Sequence, residues 1–377
     1  MKLNFCVPCL LGLESVIARE AASFGAEQVV AENGKVFFSG GFDLLARHNI
    51  CSRFSERLQI LVGSFRALTF TELFEGVKAL PWEDYIGRTD AFPIKGYSLD
   101  SKLFSVSDCQ SIIKKAVVER LKQQYGLQWF EETGPVHQIQ FSLMKDKVQL
   151  LLDTSGEGLH KRGYRPVSLA APIKETIAAS LCSFARLQHY HTLYDPMCGS
   201  GTILIEGAMM AMNMPPGVKR NFSAERWDVV PRNVWREERD RALSRIRRDA
   251  DFTAFGYDID ENALRAAQSN AEAAGVADKI IFKAAALSDF APVSEKGTVI
   301  CNPPYGERMD DTQRARLITQ EMGRVFPAKP GSSYTVISPS DTFEDDFGRP
   351  ADKRRKLYNG MIKCQVYMYY HKTEAWK

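Results

Sequence analysis

YDPMCGSGTILIEGAMMA, residues 194–211, reads as the end of a strand, a glycine-rich turn and the start of an apolar helix. The short run TLYD closes at Asp195, and Gly199 and Gly201 follow. Glycine lets the backbone turn tightly and lets a ligand approach where a Cβ would stand in the way. The turn lacks the third glycine of the dinucleotide fingerprint and carries no lysine after its glycines, which excludes a Walker-type phosphate loop. Downstream, AFGYDID (254–260) closes a second strand at Asp258. In doubly wound sheets ligands lie beyond the carboxyl ends of the strands, where an acid accepts from ribose hydroxyls. Asp258 is assigned to that task, whereas Asp260 fits equally the N-cap of the following helix. The interval from Asp195 to Asp258 is long for neighbouring strands and implies an insertion over residues 213–252.

A third stretch, TVICNPPYGER (298–308), leaves an apolar strand through two prolines flanked by Asn302 and Tyr305. Pro303 and Pro304 fix φ and donate no hydrogen bond, so the loop is stiff and its carbonyls are free to accept. Asn302 adds a side-chain acceptor and Tyr305 a flat ring. Together they suit an exocyclic amine on a nucleobase. That nitrogen's lone pair is delocalised into the ring, and two acceptors gripping its hydrogens orient it and favour its sp³ form. A ring stacked on the base contributes about 1–3 kcal/mol.

The 377 residues are 45% hydrophobic and 25% charged, enough for two or three domains and without a disordered or collagen-like signature. No apolar run approaches the roughly 20 residues a membrane helix needs, and MKLNFCVPCLLGLESVIARE has no basic n-region before Glu14. The chain therefore reads as soluble and cytoplasmic. Cys6 and Cys9 have C-x-x-C spacing with no second pair or His pair to complete a zinc site, and no metal is assigned. The first third runs β-α-β-β-α-β, the ferredoxin-like order, with Asn33-Gly34 as a hairpin turn. Next come a helix stopped at Pro81, a long helix capped by Ser107 or Asp108 and ending near Gly126, and two strands across Lys145-Asp146-Lys147. From about residue 160, strands alternate with Ala-rich helices, which implies a parallel, doubly wound α/β sheet.

DPMCGSGT, GYDID and NPPYGER resemble the motifs of class I S-adenosylmethionine-dependent methyltransferases that act on exocyclic amines. GLHKRGYR, APIKET, KLYNG and the stretch SKLFSVSDCQSIIKKAVVERL are similar to the THUMP-domain RNA methyltransferases. Within these the chain most resembles the enzymes making N2-methylguanine in bacterial large-subunit ribosomal RNA, a group often labelled N6-adenine-specific DNA methylases because of NPPY. The resemblance covers nearly the whole chain. It implies a ferredoxin-like domain over 1–65, a THUMP RNA-binding domain over 66–158 and a Rossmann-like catalytic domain over 159–377. It further implies a mostly parallel seven-stranded sheet with one antiparallel strand.

By the same resemblance Asp195, Pro196, Cys198, Gly199, Gly201 and Thr202 approach the methionine end of S-adenosylmethionine. Asp258 and Ile259 lie at its ribose, Glu175 is a further cofactor contact, and Asn302, Pro303, Pro304 and Tyr305 hold the target base. The pattern departs at KIIFKAAALSDF: Ala284–Ala286 stand where such enzymes often carry an Asp facing the adenine amine, and Asp289 comes late. The adenine is then read by backbone groups or by Asp289.

RNA contacts are expected from the basic loop carrying Lys161, Arg162, Tyr164 and Arg165. Two further basic clusters are the insertion, with ten Lys/Arg against six Asp/Glu between 219 and 249, a net +4, and Lys353–Lys356. A net charge of +3 for the chain neither demands nor excludes nucleic acid. Two other readings stay open: an adenine-N6 DNA methyltransferase, and an inactive RNA-binding assembly factor.

Overall fold

The computed structural model describes residues 1–165, 173–294, 297–305, 309–360 and 362–370. Of the motifs above, residues 166–172, 306–308, 361 and 371–372 lie outside the described residues. The described chain forms two compact units. One comprises Met1–Cys9, Ile17–Leu159 and Arg220–Arg241; the other comprises Leu10–Val16, His160–Lys219 and Ala242–Lys377.

In the first unit, β1 (Leu3–Pro8), α1 (Glu14–Ser23), β2 (Glu27–Glu32), β3 (Lys35–Gly40), α2 (Phe42–Cys51) and β4 (Gln59–Arg66) follow the ferredoxin-like order. They continue into α3 (Phe70–Lys78), β5 (Ile94–Leu99), α4 (Val106–Tyr125), β6 (Ile139–Met144) and β7 (Lys147–Asp153). All seven strands share one sheet, ordered β2-β3-β1-β4-β7-β6-β5. The antiparallel pairing of β4 with β7 makes it continuous. Helix α4 is capped by Ser105, whose side chain accepts from the Asp108 N–H, rather than by Ser107 or Asp108. The hydroxyl two residues earlier is the one placed to reach the third N–H of the helix.

Helices α2, α3 and α4 pack against β3, β4 and β5 respectively. The opposite face is polar. Lys35 Nζ on β3 donates to Gln149 Oε1 of β7 at 2.7 Å and to Ser142 Oγ of β6 at 3.1 Å. At roughly 4.8 Å per strand, a flat sheet would separate β3 from β6 by close to 20 Å, far beyond a lysine's reach. The sheet is therefore curled into a trough with this polar ladder across it.

The same unit holds residues 220–241 of the expected insertion, which contribute a short helical turn (Ser223–Arg226) and most of α7 (Arg232–Leu243). Part of the insertion's charge has partners in this unit. Glu238 accepts from Arg47 Nε and Nη2 at 2.8 and 2.6 Å, Arg239 pairs with Glu225 at 2.6 Å, and Arg220 donates to the Glu157 and Gly158 carbonyls. Trp227 stacks on His137 with ring centroids 4.3 Å apart. Arg220 and Arg239 are thus engaged within this unit, whereas Arg226, Arg232, Arg236, Arg245, Arg247 and Arg248 are exposed.

The second unit contains α5 (Glu175–Phe184), β8 (Thr192–Asp195), α6 (Thr202–Ala211), β9 (Thr253–Asp258), α8 (Glu261–Ala274), β10 (Ile280–Ala284) and β11 (Gly297–Cys301). It closes with α9 (Met309–Val325), β12 (Ser332–Ser338), α10 (Phe343–Phe347), β13 (Lys353–Asn359) and β14 (Ile362–Tyr370). The sheet order is β10-β9-β8-β11-β12-β14-β13. Strands β8 to β12 are parallel, and β14 runs antiparallel between β12 and β13. This is the seven-stranded sheet with one antiparallel strand implied by the resemblance. An aromatic core including Tyr194, Phe290, Phe326, Tyr334 and Cys301 lies against it. Tyr194 and Cys301 immediately precede Asp195 and Asn302, so both site residues leave strands whose last inward side chains are fixed by packing.

Candidate active site

The carboxyl ends of β8, β9, β10 and β11 open into one cleft of about 530 Å³, within the range of small-molecule sites. Its glycine turn is tied down by three bonds. Cys198 N–H donates to the Tyr257 carbonyl at 2.9 Å, Gly201 N–H to the Cys198 carbonyl at 2.8 Å, and Gly199 N–H to Asp258 Oδ2 at 2.9 Å. Gly199 and Gly201 have φ of +50° and +76°, the left-handed region that side chains disfavour. A Cβ added at Gly199 would meet nothing within 4 Å, so the turn presents open space to a ligand. At Gly201 it would come within 3.1 Å of Ala267 and 3.2 Å of Phe282.

Asp258 holds the turn and also accepts the Asp260 N–H on Oδ1 at 3.0 Å. One lone pair on each of its oxygens remains for ligand hydroxyls. Asp260 caps α8 through the Asn262 N–H, as its alternative reading anticipated. Asp195 is 1% exposed and accepts the Met197 N–H at 3.2 Å. Burial pushes its carboxyl up to about 8. The folded state thus holds this proton above the unfolded value near 4. Its stabilising contribution is present below about pH 4 and is lost as pH rises towards 8. Asp195→Asn is expected to melt progressively higher than wild type between about pH 5 and 8, with a constant difference above that. A pH series of melting temperatures checks this, and a difference independent of pH would contradict it.

Asp195, Pro196, Cys198, Gly199, Thr202, Asp258 and Ile259 all line the cleft, and so do Asn302 and Pro304. Pro303 is buried and is not among the lining residues. The Tyr305 hydroxyl is turned inward and donates to Asn302 Oδ1, and burial raises its pKa well above the usual tyrosine value. Sequence reasoning did not single out Met197, Leu287, Arg314 or Ile318, which complete the walls. Ile259, Ala285, Ala286, Leu287 and Ile318 give the β10 end an apolar slot; Asp289 is not among the lining residues. The Ala285 N–H is already engaged with the Asp258 carbonyl at 3.1 Å. The Arg314 and Ile318 contributions come from α9, whose position relative to the cleft no local motif reports.

The basic loop is arranged differently from expectation. Lys161 is exposed, but Arg162 and Tyr164 are only 5% and 4% exposed, which corrects their reading as surface RNA contacts. The Tyr164 hydroxyl donates to Glu206 Oε1 at 3.0 Å and Arg162 Nε lies 3.5 Å from the same oxygen. Glu206 is a lone acid inside the apolar helix TILIEGAMMA, and a buried carboxylate requires such partners. That was the available signal. Arg165 pairs with Glu175 at 3.1 Å and donates to Thr202 Oγ1 at 3.2 Å, bracing the start of α6. Glu175 is 3% exposed and, among the described residues, its Oε2 has no hydrogen-bond partner. Burial raises its pKa, with Arg165 opposing. Glu175 is not among the residues lining the cleft. In the third basic cluster Arg354 pairs with Glu344 at 3.0 Å and Arg355 lies over the Phe184 ring at 4.7 Å.

Comparison with known proteins agrees over the full length. The family described as RMKL-like, methyltransferase domain, matches residues 162–368. The RlmL ferredoxin-like domain matches residues 4–59 and the THUMP domain residues 67–153. A Bacillus subtilis protein named "Putative RNA methyltransferase YpsC" is 42% identical over 365 residues, 96% of this chain and 94% of its own. A crystal structure from Listeria monocytogenes, named as a "predicted N6-adenine-specific DNA methylase", superposes with a TM-score of 0.93 at 42% identity, over 98% and 96% of the two chains. SMU.472, named as "a putative methyltransferase complexed with SAH", superposes with a TM-score of 0.94 at 36% identity over 99% of each chain.

Proposed function

The chain belongs to the RMKL-like methyltransferase family, and on that footing we propose that it methylates an exocyclic amine of an RNA base, with guanine N2 of large-subunit (23S) ribosomal RNA as the target. The cofactor is S-adenosylmethionine. One observation carries the reading: Asn302 and Pro304 open into the same cleft as Asp258 and the glycine turn. A base held by the first pair is thereby brought to a cofactor held by the second.

The residues fit the cofactor. Open space over Gly199 accepts its methionine end, and Asp195, Pro196, Cys198 and Thr202 build that wall, while Gly201, which is not among the lining residues, packs towards Ala267 and Phe282 and shapes the turn behind it. The two unused lone pairs of Asp258 accept from ribose hydroxyls, and the apolar slot beside Ile259 takes the adenine. Glu175 supports the turn through Arg165 and Thr202. When bound, the cofactor supplies a methyl group on a positively charged sulfur. Asn302 Oδ1 and the Pro303 carbonyl accept from the target amine and aim its nitrogen along the line of transfer. The stiff Pro-Pro loop holds that geometry without reorganising, and the proton leaves for water once the nitrogen has been methylated. The THUMP match favours RNA over DNA. Lys161, Lys353 and Lys356 remain as candidate phosphate contacts, the RNA need not be free of ribosomal protein, and a cytoplasmic location follows from such a substrate.

The test is incubation with methyl-labelled S-adenosylmethionine and, separately, unmodified large-subunit ribosomal RNA transcript and unmethylated duplex DNA, followed by nucleoside mass spectrometry. Labelled N2-methylguanosine from the RNA is expected. Labelled N6-methyladenine from the DNA alone would overturn the substrate and keep the chemistry.

A further inference from the structure

The cleft carries a cation to which the chemistry above gives no task. Arg314 is the single basic side chain among its lining residues, against the carboxyl groups of Asp195 and Asp258. Helix α9 holds three arginines. Arg316 is fixed on Asp346, with Nη2 3.0 Å from Oδ1, and Arg324 pairs with Glu321. Arg314 is exposed, and its guanidinium makes no hydrogen bond or ion pair among the described residues. A guanidinium that opens into a site with its five donors unused is a receptor for an anion.

Its place selects the anion. Side chains four residues apart share a helix face, so Arg314 stands on the face of Ile318, which lines the apolar slot at the end of β10. Four residues span about 6 Å of helix axis, and helical side chains lean towards the N-terminus. The guanidinium therefore lies beyond the slot, towards the start of α9, the end that follows Asn302–Tyr305 in the chain. The glycine turn leads into α6, which covers the other face of the sheet. Leu193 on β8 faces α6, where it would meet a Cβ added at Gly207. Tyr194, the next residue, belongs to the aromatic core with Met322 and Phe326 of α9. Neighbouring residues of a strand face opposite sides, so α6 and α9 lie on opposite faces. The cofactor's one anion is the carboxylate of its methionine end, which the turn before α6 receives. Arg314, on the α9 side with Pro304, is left for an anion that arrives with the target base. In a nucleic acid that anion is a phosphodiester, and a planar guanidinium matches two of its oxygens.

We propose that Arg314 binds a phosphate of the target strand, flanking the nucleotide whose base reaches Asn302, and so sets the position of that strand over the cofactor. This rests on the function proposed above for the nature of the strand, RNA. Arg314→Gln removes the charge and the fork. It is expected to raise the RNA concentration for half-maximal single-turnover transfer about tenfold, the effect of one charge-assisted contact. The rate at saturating RNA and the affinity for S-adenosylhomocysteine are expected to stay within about twofold of wild type. Arg314→Lys, which keeps the charge without the fork, is expected to recover part of the loss. A cofactor affinity lowered as much as the RNA affinity would put Arg314 on the cofactor and overturn the proposal.

The second measurement needs no transfer. Binding of a fluorescein-labelled fragment of the ribosomal RNA to protein loaded with S-adenosylhomocysteine is followed by anisotropy between about 50 and 200 mM KCl. The slope of log affinity against log salt is expected to fall by about 0.7–1 in Arg314→Gln, the share of one phosphate, and to hold in Arg324→Gln. An unchanged slope in the first variant, or the same change in both, overturns the phosphate contact. Should wild type bind the fragment and methylate no RNA, the substrate reading falls while the slope still decides Arg314. A wild type that binds no RNA overturns both.

Discussion

Replacing Asn302 by alanine is expected to lower methyl transfer at least about 100-fold while leaving S-adenosylmethionine affinity within about twofold of wild type. The split follows from position. Asn302 stands just beyond β11, whereas Asp195 and Asp258 end β8 and β9, where the glycine turn meets them. A single preorganised polar group at a reacting centre is worth about 10²–10³ in rate, because it is aimed in advance and needs no reorganisation during the step. The aromatic core holds Cys301, so the strand end survives the truncation and the variant should melt close to wild type. Single-turnover transfer and cofactor calorimetry check the two halves separately. Full activity in this variant would remove Asn302 from the mechanism, and equal losses of transfer and cofactor affinity would make it part of the cofactor site instead.

How far the sequence discloses the molecule depends on whether the determining interaction is local. The glycine turn, Asp258 and the Asn-Pro-Pro-Tyr loop each sit at a strand end, and the strand-turn-helix pattern alone is enough to bring them to one edge of a parallel sheet. The resemblance supplied the antiparallel β14, which periodicity left unordered. Pairing partners far apart in sequence were not legible. Nothing in QILVGSFR or KVQLLLD announces that β4 and β7 join two modules into one curled sheet. Charge was the least legible property. Arg162, Tyr164 and Arg165 look like a surface loop because basic and aromatic residues have the same spelling whether they face solvent or a buried acid. Only Glu206 and Glu175, one inside an apolar helix and one opening an Ala-rich helix, hinted at the interior pairing. In the insertion, too, spelling does not separate Arg220 and Arg239, which meet backbone carbonyls and Glu225, or Glu238, which meets Arg47, from the exposed arginines beside them. The inward turn of the Tyr305 hydroxyl, which donates to Asn302 Oδ1, is likewise not announced by the spelling of the loop.

Asp258→Ala should weaken S-adenosylmethionine binding about 100-fold or more, and the expected loss has two sources that a second variant separates. The carboxylate offers four acceptor positions, of which the Gly199 and Asp260 N–H groups occupy two. Ribose hydroxyls would take the others, and hydrogen bonds to a charged acceptor are worth about 1.5–3 kcal/mol each. The same truncation releases Gly199, whose left-handed backbone then loses the bond that holds the turn open. Asp258→Asn keeps one carbonyl oxygen and roughly the same volume, but replaces the other acceptor with a donor. It is expected to retain the bond to one backbone N–H and lose one ribose bond, for a loss nearer tenfold. If the alanine and asparagine variants bind equally badly, the charge itself rather than the count of acceptors governs the site. If both bind as wild type does, the ribose lies elsewhere and the pairing of the glycine turn with Asp258 is structural. Calorimetry with S-adenosylhomocysteine reads both without any RNA, so the answer is independent of which base the enzyme methylates.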